Sequence, residues 1–189
     1  DLFVDKTKNV HVAYRAILND SIRDIVHSVS TDSGRSFSKP AVISTDNWMI
    51  NACPHTGPSM TESGGRIHFA WYTMGTGTGI YHTSTTDTGK TFEKRSTIIE
   101  NIGRHPQISS INDNTMIAWD ELAEKDGRMF TRICLRRVGN DGNKIYLTEP
   151  DGYASYPTLQ FTNGDTAIVS YTKRDGDSKY IYYGLVNLR

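Results

Sequence analysis

Ile67-His68-Phe69-Ala70-Trp71 decides how this chain folds, because the same apolar stretch closing on an aromatic returns three more times. The other copies are Val10-His11-Val12-Ala13-Tyr14, Thr115-Met116-Ile117-Ala118-Trp119 and Thr166-Ala167-Ile168-Val169-Ser170-Tyr171. The closing aromatics recur roughly every 50 residues, a period typical of repeat architectures. Upstream of the last three copies a proline is followed by one residue and an aliphatic: Pro58-Ser59-Met60, Pro106-Gln107-Ile108 and Pro157-Thr158-Leu159. Proline suits the first residue of a strand, where no ladder donor is needed. Downstream lie Ile25-Val26-His27-Ser28-Val29, Ile80-Tyr81-His82-Thr83-Ser84, Phe130-Thr131-Arg132-Ile133-Cys134-Leu135 and Tyr180-Ile181-Tyr182-Tyr183-Gly184-Leu185. These mix β-branched and aromatic residues without helical spacing.

A further strand follows the next turn in the first three units, so each unit reads as a four-stranded antiparallel meander. That predicts an all-β chain, a β-propeller with approximate blades 1–50, 51–102, 103–150 and 151–189. A β-sandwich also shows short strands and regular turns, but a fixed repeat with matching positions disfavours it.

Between the third and fourth strands of the first unit stands Ser30-Thr31-Asp32-Ser33-Gly34-Arg35-Ser36-Phe37, and the second has Thr85-Thr86-Asp87-Thr88-Gly89-Lys90-Thr91-Phe92. In this pattern Ser30 or Thr85 opens a turn, Asp32 or Asp87 accepts turn amides, and Gly34 or Gly89 supplies permissive backbone. Phe37 and Phe92 are expected to be buried between sheets. The third unit offers only Gly139-Asn140-Asp141-Gly142, a turn former without the serine and the aromatic. With these two motifs the chain resembles the sialidase-like superfamily of Asp-box (BNR-repeat) β-propeller proteins, of the type labelled exo-α-sialidase in bacteria. The resemblance extends through Ala52-Cys53-Pro54-His55-Thr56-Gly57-Pro58, Trp71-Tyr72 and Trp119-Asp120-Glu121. It implies about four blades of a ring of about six, with missing upstream blades of the same chain and an extracellular or periplasmic location.

Composition narrows the partners. The chain of 189 residues carries 21 basic and 21 acidic side chains, which gives no general attraction to nucleic acid or anionic membranes. No apolar run approaches the roughly 20 residues of a bilayer span, and the opening Asp1-Leu2-Phe3-Val4-Asp5 lacks a signal peptide's regions. Cys53 and Cys134 have no zinc-like spacing and are expected to be buried free thiols. No cofactor and no metal is expected.

Chain direction places the second-to-third-strand loops and the first-strand starts on the face opposite the two motifs. By resemblance, that face holds a pocket suited to carbohydrate. The substrate-binding candidates are Arg15, Arg23, Trp48, His55, Tyr72, His105 and Tyr156, polar groups beside aromatics that suit sugar stacking and carboxylate recognition. The catalytic candidates are Asp24, Arg104, Asp120 and Glu121: arginine as a carboxylate clamp, glutamate to polarise a tyrosine, aspartate to shuttle a proton. His55 and His105 occupy nearly corresponding places, but no third ligand accompanies them. The Gly-rich Met74-Gly75-Thr76-Gly77-Thr78-Gly79 has no helix after it to receive a phosphate and reads as a flexible loop over the pocket. The resemblance implies carbohydrate binding and glycoside hydrolysis when the catalytic set is complete; the competing reading is a non-catalytic propeller that recognises a glycan or protein.

Overall fold

The computed structural model describes residues 1–140 and 143–188, so Asp141 and Gly142 of the expected third turn, and Arg189, lie outside the described residues. Among the described residues there is no helix, and the strands form three sheets. The first contains β1 (Leu2–Val4), β2 (Val10–Arg15), β3 (Ile25–Ser30) and β4 (Ala41–Val42), in that order. The second contains β5 (Ser59–Ser63), β6 (Arg66–Thr73), β7 (Gly79–Thr85) and β8 (Ser96–Glu100). The third begins with β9 (Gly103–Ile111), β10 (Asn114–Lys125), β11 (Arg128–Arg137) and β12 (Lys144–Tyr146). It continues with β13 (Tyr153–Asn163), β14 (Thr166–Asp175) and β15 (Ser178–Asn187).

The first two units are the expected antiparallel meanders, whereas the third and fourth are fused into one seven-stranded sheet. The cause is the length of β11. Its partner β12 covers only Cys134, Leu135 and Arg136, so the other end of β11 keeps a free edge. There Thr131 pairs with Tyr153 in parallel, and its amide donates to the Gly152 carbonyl at 3.2 Å.

Apolar side chains are buried between consecutive units. Ala13 and Ile25 meet Met60, Phe69 and Trp71; Ala70 and Ile80 meet Ile108, Ile117 and Trp119; Ala118 and Leu135 meet Leu159, Phe161 and Val169. Strand β10 shows why both of its faces are apolar. Successive side chains point to opposite faces, so Met116 and Ala118 pack toward the fourth unit while Ile117 and Trp119 pack toward the second. The same alternation governs Asp120 and Glu121 at the end of the strand.

The two aspartate turns have matching bonds. Ser30 Oγ donates to Asp32 Oδ1 at 2.7 Å and accepts the Gly34 amide at 2.8 Å, while the Ser36 amide and hydroxyl donate to the carboxylate at 2.9 and 2.5 Å. In the second turn Asp87 takes the Lys90 and Thr91 amides, both at 3.0 Å, and the hydroxyls of Thr85 and Thr91. Hydrogen bonds from Ser36 and Ser30 hold Asp32 down to about 2, and those from Thr91 and Thr85 lower Asp87 as well.

The phenylalanines differ. Phe92 is half-buried, with its ring 6.2 Å from His27 and 5.7 Å from Phe69. Phe37 is 45% exposed, contrary to expectation; among the described residues no neighbouring sheet packs over it as His27 of the first sheet packs on Phe92. Gly89, at φ +88°, lies so close to His27 that a Cβ would stand 2.2 Å from the imidazole Nδ1. Asp87→Ala is therefore expected to lower the thermal midpoint more than Asp32→Ala, since only the second turn carries inter-sheet packing. Melting curves of the two variants check this, and equal midpoints would contradict it.

Candidate functional site

Strand register places the ends of β2, β6 and β10 away from the aspartate turns. Val10 pairs with Ser30 at the turn end of the first sheet and Arg15 with Ile25 at the other; Ile67 pairs with Thr85 and Thr73 with Gly79 in the second. At this opposite end the candidates form two connected groups.

The first is a row of arginines on aromatic faces. The Arg15 guanidinium lies 4.6 Å from the Trp48 ring centroid, and that of Arg104 lies 4.5 Å from Tyr72. Trp48 and Tyr72 meet edge-on at 5.6 Å. Arg15 is tied down by the carbonyls of Arg23 and Tyr72, both at 2.7 Å. Burial draws it down to about 10, with Asp46 and Asp24 opposing. Burial likewise raises the Tyr72 phenol, against the pull of Arg104 and Arg15. Arg15 Nε, Arg23 Nη1, Thr56 Oγ1 and the Tyr72 hydroxyl are buried without a hydrogen-bond partner.

The second group lines a pocket of about 550 Å³ between the third and fourth units, with Arg104, His105, Asp120, Tyr153, Tyr156, Arg174 and Lys179 among its walls. His105 Nδ1 lies 2.7 Å from Asp120 Oδ2, which also accepts the Tyr156 amide at 2.8 Å. The His105 and Tyr156 rings are 4.1 Å apart. Both residues have positive φ, +48° and +55°, and both precede a proline, a position normally held in extended backbone. Such strain persists only where the surroundings enforce it. Gly103, at the start of β9, packs directly on the second sheet, since a Cβ there would stand 2.4 Å from Ile99 and 2.9 Å from Ile80.

Other candidates lie elsewhere. Asp24 is buried and accepts the amides of Asn47 and Trp48 at 3.1 and 3.2 Å, which fixes the loop that carries Trp48. Glu121 points to the face opposite Asp120, where it accepts the Trp119 indole at 3.0 Å, Arg132 at 2.8 Å and Lys144 at 2.9 Å. His55 is exposed, and among the described residues no group of His, Cys, Asp and Glu is arranged to hold a metal. Cys134 is buried and its thiol is pushed well up by burial and by Glu121, but Cys53 is exposed, contrary to expectation, beside Arg15 and Arg23. The Gly-rich loop is pinned, with the Thr76 amide donating to the Asp46 carbonyl at 2.6 Å.

Sequence reading passed over Lys179, although it pairs with Arg174 across the β14–β15 hairpin and that register was the available signal. It also passed over Asp46, a buried carboxylate that accepts the Trp71 indole at 2.7 Å and pairs with Arg95. Asp46 lies in a loop, with no periodicity to reveal it.

No protein-family model matches the chain, and no curated protein matches it. Solved structures do. A protein of unknown function from Dyadobacter fermentans superposes with a TM-score of 0.72 at 16% identity, over 100% of this chain and 52% of its own. The NanB sialidase of Streptococcus pneumoniae gives 0.64 at 18%, over 98% and 30%. An ulvan lyase, a polysaccharide lyase bound to a GlcA-containing repeat, gives 0.64 at 10%, over 99% and 52%. The chain thus spans about half or less of the structures it matches, and it shares a sialidase-like, all-β fold found in carbohydrate-active proteins.

Proposed function

We propose that this chain is a segment of a sialidase-like propeller that binds carbohydrate bearing a carboxylate. In this reading the units 1–50, 51–102, 103–150 and 151–189 are blades and the aspartate turns are Asp boxes. Apolar packing between consecutive units supports the blades, and the likeness to sialidases supports the carbohydrate. The observation that carries the ligand class is the pocket itself, where Arg104, Arg174 and Lys179 stand beside Tyr153 and Tyr156. Cations select a carboxylate while aromatic faces stack on a sugar ring.

A recognition module is favoured over a two-carboxylate hydrolase because Asp24 and Glu121 already have their oxygens engaged in the fold. Calorimetric titration with sialyllactose and a glucuronate oligosaccharide, against neutral lactose, tests the reading. Arg104→Ala is expected to weaken acidic-glycan binding about 10- to 100-fold with stability little changed, the worth of a charged hydrogen bond. Equal affinity for acidic and neutral sugars would refute it. Turnover of a fluorogenic sialoside by the full-length protein would restore the hydrolase.

A further inference from the structure

The other carboxylate candidates are engaged elsewhere, and Asp177 lies 3.8 Å from Arg174 Nη2 at the pocket rim. Asp24 serves the Trp48 loop, and Glu121 faces the other side of the sheet. Asp120 is the single carboxylate among the pocket's described lining residues, and its Oδ2 is shared by His105 and the Tyr156 amide. Among the described lining residues, paired-carboxyl hydrolysis has no second group. What the pocket does contain is a partly exposed imidazole, oriented by a buried carboxylate and walled by Arg104, Arg174 and Lys179.

We propose that His105 is a catalytic base and that this pocket cleaves uronate-bearing glycans by β-elimination, an inference that rests on the acidic-carbohydrate reading above. With Nδ1 donating to Asp120, the neutral imidazole carries its lone pair on Nε2. The arrangement is the base-and-orienter half of a catalytic triad, without a nucleophile. Cations that hold the uronate carboxylate also stabilise the charge that develops there when C5 is deprotonated. Nε2 takes the C5 proton, and the electron pair of that C–H bond becomes the second bond between C4 and C5. The C4–O bond breaks, and its electrons leave with the glycosidic oxygen. The proton on Nε2 then passes to that oxygen and restores the imidazole. One product carries an unsaturated uronate and the other an ordinary free end, with no water or oxidant consumed. The left-handed backbone at His105 and Tyr156 sets the imidazole and the neighbouring phenol at the pocket wall, in keeping with strain concentrated at working residues.

The test is to incubate the full-length protein with pectate, alginate, hyaluronan and heparan chains and to follow the ultraviolet absorbance of the conjugated unsaturated uronate. Calorimetry measures binding of the same polymers in parallel. Appearance of that absorbance is expected, abolished in His105→Ala with polymer binding retained. Asp120→Asn is expected to lower turnover at least about 100-fold by releasing the tautomer, with little change in KM. Binding without absorbance overturns the elimination and leaves acidic-glycan recognition standing. New reducing ends without unsaturation overturn it in favour of hydrolysis. Failure to bind any acidic polymer overturns both. Should His105→Ala fail to fold, His105→Gln is the second variant, and full activity in it sinks the assignment.

Discussion

Glu121→Ala is expected to lower the free energy of unfolding by about 3–5 kcal/mol, the usual cost of removing one partner from a buried ion pair. The Glu121 carboxylate is buried and accepts hydrogen bonds from Trp119 Nε1, both Arg132 Nε and Nη2, and Lys144 Nζ. Burial alone would raise its pKa, but the bonds from Lys144, Trp119 and Arg132 outweigh that and hold it below the ordinary glutamate value. Without it the Trp119 indole has no acceptor, and two cations are left together on the Tyr146 ring, Arg132 at 3.9 Å and Lys144 at 5.0 Å. Glu121→Gln retains an acceptor for the indole and is expected to lose less. Urea denaturation of the two variants measures both; a loss below about 1 kcal/mol in Glu121→Ala, the range of ordinary surface changes, would show that the cluster contributes little.

Acidification below the ordinary imidazole value is expected to weaken the fold through two histidine pairs, of which His11, His27 and His82 are buried and His68 half-buried. His11 Nδ1 lies 2.9 Å from His27 Nε2, with Asp5 Oδ2 3.1 Å from the far nitrogen of His11. His68 Nδ1 lies 3.0 Å from His82 Nε2, and Ser96 Oγ lies 3.5 Å beyond. Phe69, Phe92 and Gly89 enclose His27, while Arg66, Glu93 and Lys94 border the cleft beside His82. Burial first, and then the neighbouring imidazole, brings His27 and His82 from 6.5 to about 4.

The unfolded imidazoles take up protons below their ordinary value, whereas the folded ones do so only near pH 4. Stability from these sites is thus complete above the unfolded value and declines as pH falls through that window, by at most about 3 kcal/mol at each. Asp5, Asp32, Asp87 and Glu121 are all held low and contribute their own losses at more acid pH. Denaturation midpoints measured across the window, for the wild type and for a His27→Gln, His82→Gln double variant, separate the two causes. A slope unchanged in the double variant would remove the histidines from the account.

Strand positions were legible because they depend on local chemistry. Alternating apolar residues and a recurring aromatic declare a strand wherever they stand, and four copies declared the repeat; the prolines mark a strand start only at Pro58, since Pro106 and Pro157 lie inside β9 and β13, where the ladder register breaks and no donor is needed. The aspartate turns were legible for the same reason, since Ser30, Asp32, Gly34 and Ser36 bond to one another within a few residues. The candidate site was legible only as a neighbourhood. Arg15, Trp48, Tyr72, Arg104, His105, Asp120 and Tyr156 gather at one end of the sheets, but which partner each one takes was hidden.

By itself the sequence determined an all-β chain of repeated meanders with a cationic, aromatic end opposite two aspartate turns. Tertiary structure decided which groups are available there. Adjacent in the chain, Asp120 and Glu121 are sent by strand alternation to opposite faces, one to a pocket and the other into a cluster with Arg132 and Lys144. Phe37 and Phe92 have equivalent motifs, but among the described residues Phe92 alone packs on a neighbouring sheet. A side chain's burial and partners depend on which other unit packs against it, and that is a property of contacts between residues far apart in the chain, which no local pattern encodes.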